Sequence, residues 1–311
     1  MSLSTQQLQQ YAHDGFLILP EFFSSGEMQP VIEEVDGLVD GLAERFFAAG
    51  KIRNRHAEAG FDTRLSLLER EYPGAAVLIH IGGILGPALA RLWETPRLLD
   101  IVEQIIGPEV AGHPVWNLRS KTPNNPLVTV PWHQDTAYLA AGCETTMQPT
   151  AWIPLVNADS VNGTLQVVRG GHRSGKVARH RLEKSRGHKD SWYLYIPDEE
   201  LPEGEIVTCE MPRGSVLLMN QLLPHRSTEN YSDSVRWSID LRWQRPNEPS
   251  GFEGIKDCIL MRTGGDPDYH PDWQSWAKQN RIADAMPATP RDEFATAVTG
   301  PWMERWSQPG D

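Results

Sequence analysis

The middle of this chain is a series of short runs rich in β-branched, aromatic and other apolar residues, each bounded by turn residues. Short β-rich runs that follow one another in this way are typical of an antiparallel sandwich or barrel. The runs cover residues 126–132, 151–156, 164–168, 205–210, 215–220 and 234–243. We therefore predict a mainly β core built from antiparallel strands.

The residues before this core carry a helical pattern. From residue 31 to residue 47 apolar side chains recur at three- and four-residue steps, which predicts an amphipathic helix that stops at Gly50. A second helix is predicted between Thr95, placed to cap its start, and Gly107, with Pro96 in the first turn. These helices are expected to flank the β core.

One domain is predicted over residues 1–311, since a single core is ordinary for barrels of this length. Its parts are a mainly helical flank (1–108), the β core (109–246) and an extension rich in Pro, Asp and Trp (247–311). A stretch near 172–197 is too charged for the core and is interpreted as a polar surface insertion. The extension is expected to pack across the core.

The charge and cysteine content narrow the classes of partner. Lys and Arg number 29 against 41 Asp and Glu, a net charge of -12, which disfavours nucleic acid and anionic membranes. The three cysteines are far apart and form no C-x-x-C pair, so neither a disulfide framework nor a zinc ribbon is predicted. No secretory signal pattern or membrane span is visible. We expect a cytoplasmic protein that acts on a small molecule, and its oligomeric state stays open.

The tripeptide His-x-Asp occurs three times, and only its first copy has the surroundings of a metal site. On a strand, residues i and i+2 face the same side, so such a pair can offer an imidazole and a carboxylate to one ion. His133 and Asp135 follow a β-rich run, and His225 follows a later one. The copies at His188 and His270 lie in a charged stretch and in an Asp- and Pro-rich loop.

His133, Asp135 and His225 therefore form the candidate metal site. Two histidines and one carboxylate leave three adjacent positions open on an octahedral iron, as a bidentate keto acid and dioxygen require. Taken alone, a histidine beside a strand is more often a hydrogen-bonded structural residue than a ligand. The prediction depends on the three residues occurring together.

The run at 234–243 adds a candidate carboxylate clamp. Arg236, Ser238, Asp240 and Arg242 alternate with large apolar residues, so they share one face of a strand. A guanidinium group can hold a carboxylate through two parallel bonds, which lysine cannot do. We predict that Arg236, eleven residues after His225, binds the distal carboxylate of 2-oxoglutarate.

Four segments resemble the phytanoyl-CoA dioxygenase family of 2-oxoglutarate oxygenases, and they occur in the family's order. They are Tyr11-Ala12-His13-Asp14-Gly15-Phe16-Leu17-Ile18-Leu19-Pro20, Trp132-His133-Gln134-Asp135, Asn162-Gly163-Thr164-Leu165-Gln166-Val167-Val168 with Gly170-Gly171-His172, and Arg213-Gly214-Ser215-Val216-Leu217-Leu218 with His225-Arg226-Ser227. The resemblance implies a double-stranded β-helix, a jelly-roll or cupin-like barrel with helices outside. It also implies Fe(II), 2-oxoglutarate and O2 as reactants, with iron on His133, Asp135 and His225.

The resemblance extends to residues around the metal. It implies that Arg236 binds 2-oxoglutarate and that Ser227 adds a hydrogen bond to it. Asn117 is expected to contact the co-substrate, while Arg119 and Lys121, on the same entering strand, are assigned to the substrate. The expected pocket wall is aromatic and consists of Trp116, Trp132, Tyr138 and Trp152. Residues 53–64 are a candidate lid, and His172 is interpreted as structural.

The reaction implied is oxidative decarboxylation of 2-oxoglutarate to succinate and CO2, coupled to hydroxylation or desaturation of a small molecule. Related halogenases have a small residue in place of the metal carboxylate, whereas Asp135 is present here. Two alternatives stay open. One is a cupin-like protein that binds a metal or small ligand without oxygen chemistry, and the other is a barrel with a non-redox metal, such as an isomerase or hydrolase. The substrate itself is not determined by fold-level kinship.

Overall fold

A computed structural model describes residues 1–82, 85–183, 192–252, 256–266, 268–279, 293–296, 298 and 300–306 of the chain. The strand pairs within these residues are antiparallel. No helix among them combines the length and apolar character that crossing a bilayer requires. Helices dominate the sequence before the β-rich region, as predicted.

The helices of the described residues follow the apolar periodicity. They are α1 (Thr5–Asp14), α2 (Ser25–Ala48), α3 (Arg64–Glu71), α4 (Ala75–Gly82), α5 (Pro87–Trp93), α6 (Pro96–Ile106), α7 (Trp273–Gln279) and α8 (Trp302–Arg305). The two predicted helices are confirmed as α2 and α6. The prediction that Thr95 caps α6 is wrong, because its hydroxyl donates to the carbonyl of Arg91 (3.0 Å) instead of accepting from the helix start.

Five of the six predicted β-rich runs contain a strand, and further strands lie outside them. They are β1 (Phe16–Leu19), β2 (Val110–Gly112), β3 (Asn117–Lys121), β4 (Thr150–Pro154), β5 (Leu165–Val168), β6 (Arg181–Leu182), β7 (Leu194–Tyr195), β8 (Ile206–Cys209), β9 (Val216–Met219), β10 (His225–Ser227), β11 (Arg236–Gln244) and β12 (Ile259–Arg262). The runs that begin at residues 151, 164, 205, 215 and 234 are confirmed as β4, β5, β8, β9 and β11.

Two sheets carry most of these strands. The larger has the order β1-β9-β4-β11-β2-β12, and β3 also pairs with β11. The smaller has the order β10-β5-β8, and β6 and β7 form a separate pair. Because β4 and β5 belong to different sheets, the connection that contains the turn at Asn162-Gly163 carries the chain from one sheet to the other. Gly163 has a φ of +89°, a conformation that glycine adopts without steric cost.

The two faces of β11 have different surroundings, although both are buried. Trp237, Ile239, Leu241 and Trp243 join the main apolar core, together with the buried faces of α2 and α6. The intervening side chains include Arg236, Asp240 and Arg242, which line a cavity. The alternation predicted for this strand is therefore confirmed, and it separates the helix-packed core from a polar interior.

The run at 126–132 is not a regular strand, so that prediction is wrong. Pro126 begins a short 3-10 turn, and Pro131 has no N–H to contribute to a ladder. The N–H of Val130 donates to the hydroxyl of Ser227 (2.9 Å), and the N–H of Ser227 donates to the carbonyl of Val130 (3.0 Å). The segment still runs beside β10, but the prolines interrupt the pairing.

The stretch at 172–197 is only partly a polar surface insertion. Residues 184–191, which include His188, lie outside the described residues. Immediately after them, Trp192, Tyr193, Leu194 and Ile196 are buried. The charged neighbours conceal this apolar run when the composition of the whole stretch is considered.

The C-terminal extension contacts α5 and residues around the cavity through tryptophans. Trp273 and Trp276 each pack against Trp93 of α5, with ring centroids 5.7 Å and 5.9 Å away. Further along, Trp302 packs edge-on against Tyr138 (5.3 Å) and donates its indole N–H to the carbonyl of Trp192 (3.1 Å). These contacts place α8 directly behind one wall of the cavity.

Candidate metal centre and co-substrate pocket

Three side chains from distant parts of the sequence converge in the interior. His133, Asp135 and His225 are buried, and one potential ligand atom of each lies within 4.8 Å of the others. The Nε2 atoms of His133 and His225 are 3.8 Å and 3.9 Å from the same atom, Oδ1 of Asp135. Two imidazoles and one carboxylate in this arrangement suit the facial coordination of non-haem iron.

Backbone pairing brings the two histidines together. His225 begins β10, and two hydrogen bonds of 2.9 Å join its N–H and C=O to those of His133. Asp135 begins a 3-10 turn that runs to Tyr138, rather than continuing a strand. The His-x-Asp motif therefore reaches the metal position through an isolated bridge followed by a turn, not through the strand alternation that the sequence analysis assumed.

Hydrogen bonds on the far side of each ring prepare its Nε2 for a metal. Nδ1 of His133 lies 2.8 Å from the carbonyl of Pro131, and Nδ1 of His225 lies 3.0 Å from that of Leu223. Because a carbonyl can only accept, each Nδ1 holds the proton and each Nε2 presents its lone pair. Burial, reinforced by the neighbouring His225, holds the pKa of His133 well below its usual value and favours the neutral ring.

Arg242 fixes the metal-site carboxylate from behind. Its Nη2 donates to Oδ1 of Asp135 (2.8 Å) and its Nε donates to Oδ2 (3.1 Å), while the hydroxyl of Thr150 also donates to Oδ2 (2.9 Å). Burial alone would raise the pKa of the Asp135 carboxyl, but Arg242, His225 and His133 together outweigh burial and lower it. Asp135 is therefore ionised and oriented by the protein itself.

Arg236 occupies another position on the same face of β11. Its Nε donates to the carbonyl of Gly163 (3.2 Å), its Nη1 donates to the hydroxyl of Ser238 (2.6 Å), and its guanidinium lies 5.2 Å from the ring centroid of Trp152. Within the described residues, no carboxylate comes within 4.0 Å of this group. Burial lowers the pKa of Arg236 to about 10, so it stays cationic at neutral pH. A buried cation of this kind calls for an anionic ligand.

The register of three strands explains why these polar groups share one interior. β11 lies between β3 and β4, and paired residues point to the same side of a sheet. Lys121 is opposite Arg236, Asn117 and Trp152 are both opposite Asp240, and Thr150 is opposite Arg242; Arg119 is opposite Ser238. Alternation along β11 thus defines the polar positions on both neighbouring strands.

A cavity beside the two histidines encloses about 620 Å³, part of it open to solvent. Many residues singled out from the sequence line it. They are His133, His225, Arg236, Ser227, Arg119, Lys121 and Trp152. Ser227 accepts the N–H of Val130, so its own O–H is directed elsewhere. Lys121 donates to the hydroxyl of Thr129 (3.1 Å) and to the carbonyl of Thr228 (2.6 Å), which fixes its ammonium group near β10.

Other residues named from the sequence lie outside the cavity lining. Asn117 donates to Oδ2 of Asp240 (3.2 Å) and so supports a lining residue. Trp116 packs at the edge of the main core, and Trp132 packs with Val168 and Ile196. Tyr138 lies behind the metal site, 5.5 Å from the ring of His133, where its hydroxyl accepts the N–H of Leu194. The rings of Trp116, Trp132 and Tyr138 therefore pack in neighbouring apolar clusters instead of lining the cavity.

The candidate lid at 53–64 is attached to the outside of the large sheet. The carbonyl of Phe61 accepts the indole N–H of Trp237 (3.0 Å), and the carbonyl of Asp62 accepts the N–H of Val235 (2.6 Å). Arg64 is buried and donates to Asp40 (2.8 Å). None of the segment's residues lines the cavity.

Sequence reasoning missed several cavity residues. His80 on α4 stacks on Trp192 with ring centroids 5.8 Å apart, and Trp192 packs against Tyr193 (4.6 Å). All three line the cavity. The sequence signal for Trp192 and Tyr193 is the short aromatic run within the charged stretch. Asp240 and Arg242 were placed on the correct face of β11, and only their roles were missing.

The other His-x-Asp copies do not form a comparable site in the described residues. His270 is exposed, and Asp272 caps the start of α7 by accepting from the N–H of Ser275 (3.0 Å). Among the described residues, His133, Asp135 and His225 form a close group of potential metal ligands. His172 does not line the cavity, and its Nε2 lies 3.1 Å from the carbonyl of Ala12.

The residues present fit both iron and 2-oxoglutarate. The donor set is two neutral imidazoles and an ionised carboxylate, a combination that binds iron while leaving positions for other ligands. Arg236 has no carboxylate partner in the described part of the chain, so it can offer charge-assisted hydrogen bonds to a second carboxylate in the same cavity, and the hydroxyl of Ser227 can offer a neutral one.

Comparison with characterised proteins gives the same assignment. The sequence profile of the phytanoyl-CoA dioxygenase (PhyH) family matches residues 11–238. Ectoine dioxygenase of Bordetella parapertussis is 27% identical over 252 residues, which is 76% of this chain and 74% of the relative. The 1-deoxypentalenic acid 11-beta-hydroxylase of Streptomyces exfoliatus is 29% identical over 201 residues, 57% of this chain and 67% of the relative.

Solved structures show the same fold at lower identity. EctD from S. alaskensis, solved with bound Fe, aligns with a TM-score of 0.52 at 21% identity and covers 79% of this chain and 78% of its own. The epimerase SnoN from nogalamycin biosynthesis, solved with Fe3+, alpha ketoglutarate and nogalamycin RO, aligns with a TM-score of 0.52 at 19% identity and covers 86% of this chain and 93% of its own. The predicted double-stranded β-helix is thereby confirmed. The chain belongs to the phytanoyl-CoA dioxygenase family and is a non-haem iron, 2-oxoglutarate-dependent oxygenase.

Proposed function

We propose that this protein couples the oxidative decarboxylation of 2-oxoglutarate, to succinate and CO2, to the hydroxylation of a small molecule. His133, Asp135 and His225 hold iron(II), and Arg236 holds the distal carboxylate of 2-oxoglutarate. The observation that carries this proposal is the pairing of a buried three-ligand cluster with a buried arginine that has no carboxylate partner among the described residues. Its relatives include proteins named as a dioxygenase of ectoine and a hydroxylase of 1-deoxypentalenic acid.

The bound iron and 2-oxoglutarate would supply the oxidising chemistry, and the protein's residues would supply position and environment. Carbonyls of Pro131 and Leu223 orient the two imidazoles, and Arg242 with Thr150 orients Asp135. This preset geometry reduces the ordering that ligand binding requires.

The co-substrate end of the cavity is built to exclude water. Arg236 lies against Trp152, and Leu165 and Met219 belong to the same apolar cluster as Trp152 and also line the cavity. In this low-dielectric setting, the attraction between Arg236 and a carboxylate is stronger than it would be in water. The hydroxyl of Ser227 is placed to donate to the same carboxylate. We propose that these contacts set the affinity for 2-oxoglutarate.

Succinate formation tests the proposal directly. Purified protein is supplied with iron(II), 2-oxoglutarate, oxygen and a library of small organic molecules, and succinate is measured for each compound. We expect oxygen-dependent succinate in wild-type protein and its loss in His225→Ala. Metal and ligand binding without succinate under any condition would favour a binding protein, while product formation in anoxic buffer would favour a non-redox metal enzyme.

A further inference from the structure

Arg119, a second arginine in the cavity, is held in place by one hydrogen bond and keeps other N–H donors for a ligand. The Nε of Arg119 donates to Oδ2 of Asp240 (3.0 Å), and Asn117 donates to the same oxygen (3.2 Å). The two terminal nitrogens of Arg119 make no hydrogen bond within the described residues, and its side chain is 22% exposed where it lines the cavity. The guanidinium of Arg119 is thus fixed through its Nε, and its two terminal nitrogens can donate to a ligand in the cavity.

Aromatic residues of the cavity lining lie beside Arg119. His80 stacks on Trp192 with an interplanar angle of 10°, and Val77 and Tyr193 belong to the same apolar cluster as Trp192. Burial, followed by the charge of Arg119, lowers the pKa of His80 to about 3, so its ring is neutral. This end of the cavity combines flat neutral walls with one cationic fork.

Arg236 lies diagonally across from Arg119 on the same face of the sheet, because Ser238 is paired with Arg119 and accepts a hydrogen bond from Arg236 (2.6 Å). It lies over Trp152, and Trp152, Leu165 and Met219 form a separate apolar cluster that also reaches the cavity. The two arginines are close enough for Arg119 to contribute to the lowered pKa of Arg236. One cavity therefore has two separate cationic groups, each against its own apolar wall.

The formal charges of the site leave room for one more anion. Arg119, Arg236 and Arg242 contribute three positive charges, against two negative charges on Asp135 and Asp240. The two positive charges of iron(II) cancel the two negative charges of 2-oxoglutarate. One net positive charge therefore remains on the site, before the charge of Lys121 is added. A buried excess charge is costly unless a ligand neutralises it.

We propose that the substrate is a small organic acid whose carboxylate binds Arg119 and whose apolar body lies against His80 and Trp192. This inference rests on the proposed function, because it assumes that Arg236 is occupied by 2-oxoglutarate. A carboxylate held by two parallel bonds from Arg119 would have a defined orientation, so the fork would determine which carbon of the substrate approaches the metal.

The test measures binding rather than turnover. Protein loaded with nickel(II) and 2-oxoglutarate is titrated calorimetrically with a panel of aliphatic and aromatic carboxylic acids, each paired with its primary amide. We expect at least one acid to bind about tenfold more tightly than its amide, since a charge-assisted bond replaces a neutral one. Arg119→Gln should abolish that preference, and Arg119→Lys should retain part of it.

The controls separate this inference from the proposed function. Arg213→Gln removes a half-buried arginine whose side chain bonds Ser25 and which does not line the cavity, and it should leave every affinity unchanged. Binding of nickel and 2-oxoglutarate is measured first, so its absence in wild-type protein would contradict the proposed function itself. With that binding intact, three results would overturn the inference: no acid preferred over its amide, a preference that survives Arg119→Gln, or an approximately tenfold loss of 2-oxoglutarate affinity in that variant.

Discussion

Two arginines share one face of β11, but one of them forms an ion pair with a carboxylate and the other does not among the described residues. Arg242 donates to both oxygens of Asp135, whereas Arg236 has a backbone carbonyl and a hydroxyl as its hydrogen-bond partners. The difference follows from position, because Arg242 faces the turn that carries Asp135 and Arg236 faces the cavity near Trp152. One guanidinium therefore stabilises the metal-site carboxylate, and the other is available to a ligand.

Removing Arg242 should destabilise the metal-free protein. Arg242→Met leaves the buried Asp135 carboxylate with Thr150 as its one remaining donor among the described residues, and breaking a buried ion pair costs about 3–5 kcal/mol. We expect a loss of this size in the free energy of unfolding measured by urea denaturation. The control is Arg181→Met, which removes an exposed ion pair with Glu199 and should cost under about 1 kcal/mol. Equal losses in the two variants would contradict the assigned role.

Buried His113 should make the stability of the protein depend on pH. Its Nε2 bonds the carbonyl of Ser250 and its Nδ1 accepts the N–H of Val115, and burial lowers its pKa to about 4. The unfolded chain takes up a proton below about pH 6.5, before the folded chain does, so stability present above pH 6.5 is lost as the pH falls toward 4. This one residue should contribute a loss of about 2 kcal/mol between pH 7.5 and pH 5.

Urea denaturation of His113→Gln at the same two pH values checks this expectation. Glutamine keeps a donor and an acceptor but does not titrate, so the variant should lose less stability than wild-type protein by that amount. His80 and His180, whose pKa values burial also lowers, are unchanged and provide the common background. Identical pH dependence in both proteins would show that His113 does not contribute.

At the scale of elements, the turn between β4 and β5 controls the position of Arg236. The carbonyl of Gly163 accepts from Nε of Arg236, and the φ of Gly163 is +89°. A Cβ at this position would collide with the side chain of Lys121 and lie 2.8 Å from the carbonyl oxygen of Thr228. The turn therefore has no room for a side chain and must shift if one is added.

Gly163→Ala should weaken the binding of 2-oxoglutarate. Displacement of the turn moves the carbonyl that holds Arg236, and we expect the dissociation constant to rise about tenfold, since one charge-assisted hydrogen bond is disturbed. Gly142→Ala is the matched control, because Gly142 also has a positive φ (+98°) but nothing lies within 4 Å of its added Cβ. Unchanged affinity in Gly163→Ala, or an equal change in Gly142→Ala, would contradict this role.

Elements with a regular pattern were predictable from the sequence. Strict alternation identified β11 and its inward polar face, and the three- and four-residue spacing identified α2. The run at 126–132 was misread because its apolar content favours a strand, whereas its prolines interrupt the backbone ladder. The predicted side-chain cap at Thr95 does not form, because its hydroxyl bonds the carbonyl of Arg91 one turn earlier. Only the three-dimensional structure reveals that competing acceptor.

The cavity is lined by segments that are far apart in the sequence. His80 comes from α4, Arg119 from β3 and Trp192 from the stretch at 172–197. Trp302 packs behind the cavity wall that Trp192 forms. The metal ligands could be proposed from sequence because their chemistry is specific to few residue types. The cavity walls could not, because an apolar residue carries no sign of which surface it will face.

We propose that His133, Asp135 and His225 hold one iron while Arg236 binds 2-oxoglutarate beside it. Anaerobic titration of the protein with iron(II) and then 2-oxoglutarate tests it most directly, by the weak visible charge-transfer band that a chelated keto acid produces. We predict a band in wild-type protein, no band in His133→Ala or Asp135→Ala, and a band in Arg236→Met only at much higher 2-oxoglutarate. A wild-type protein without the band, or ligand variants that retain it, would contradict the account.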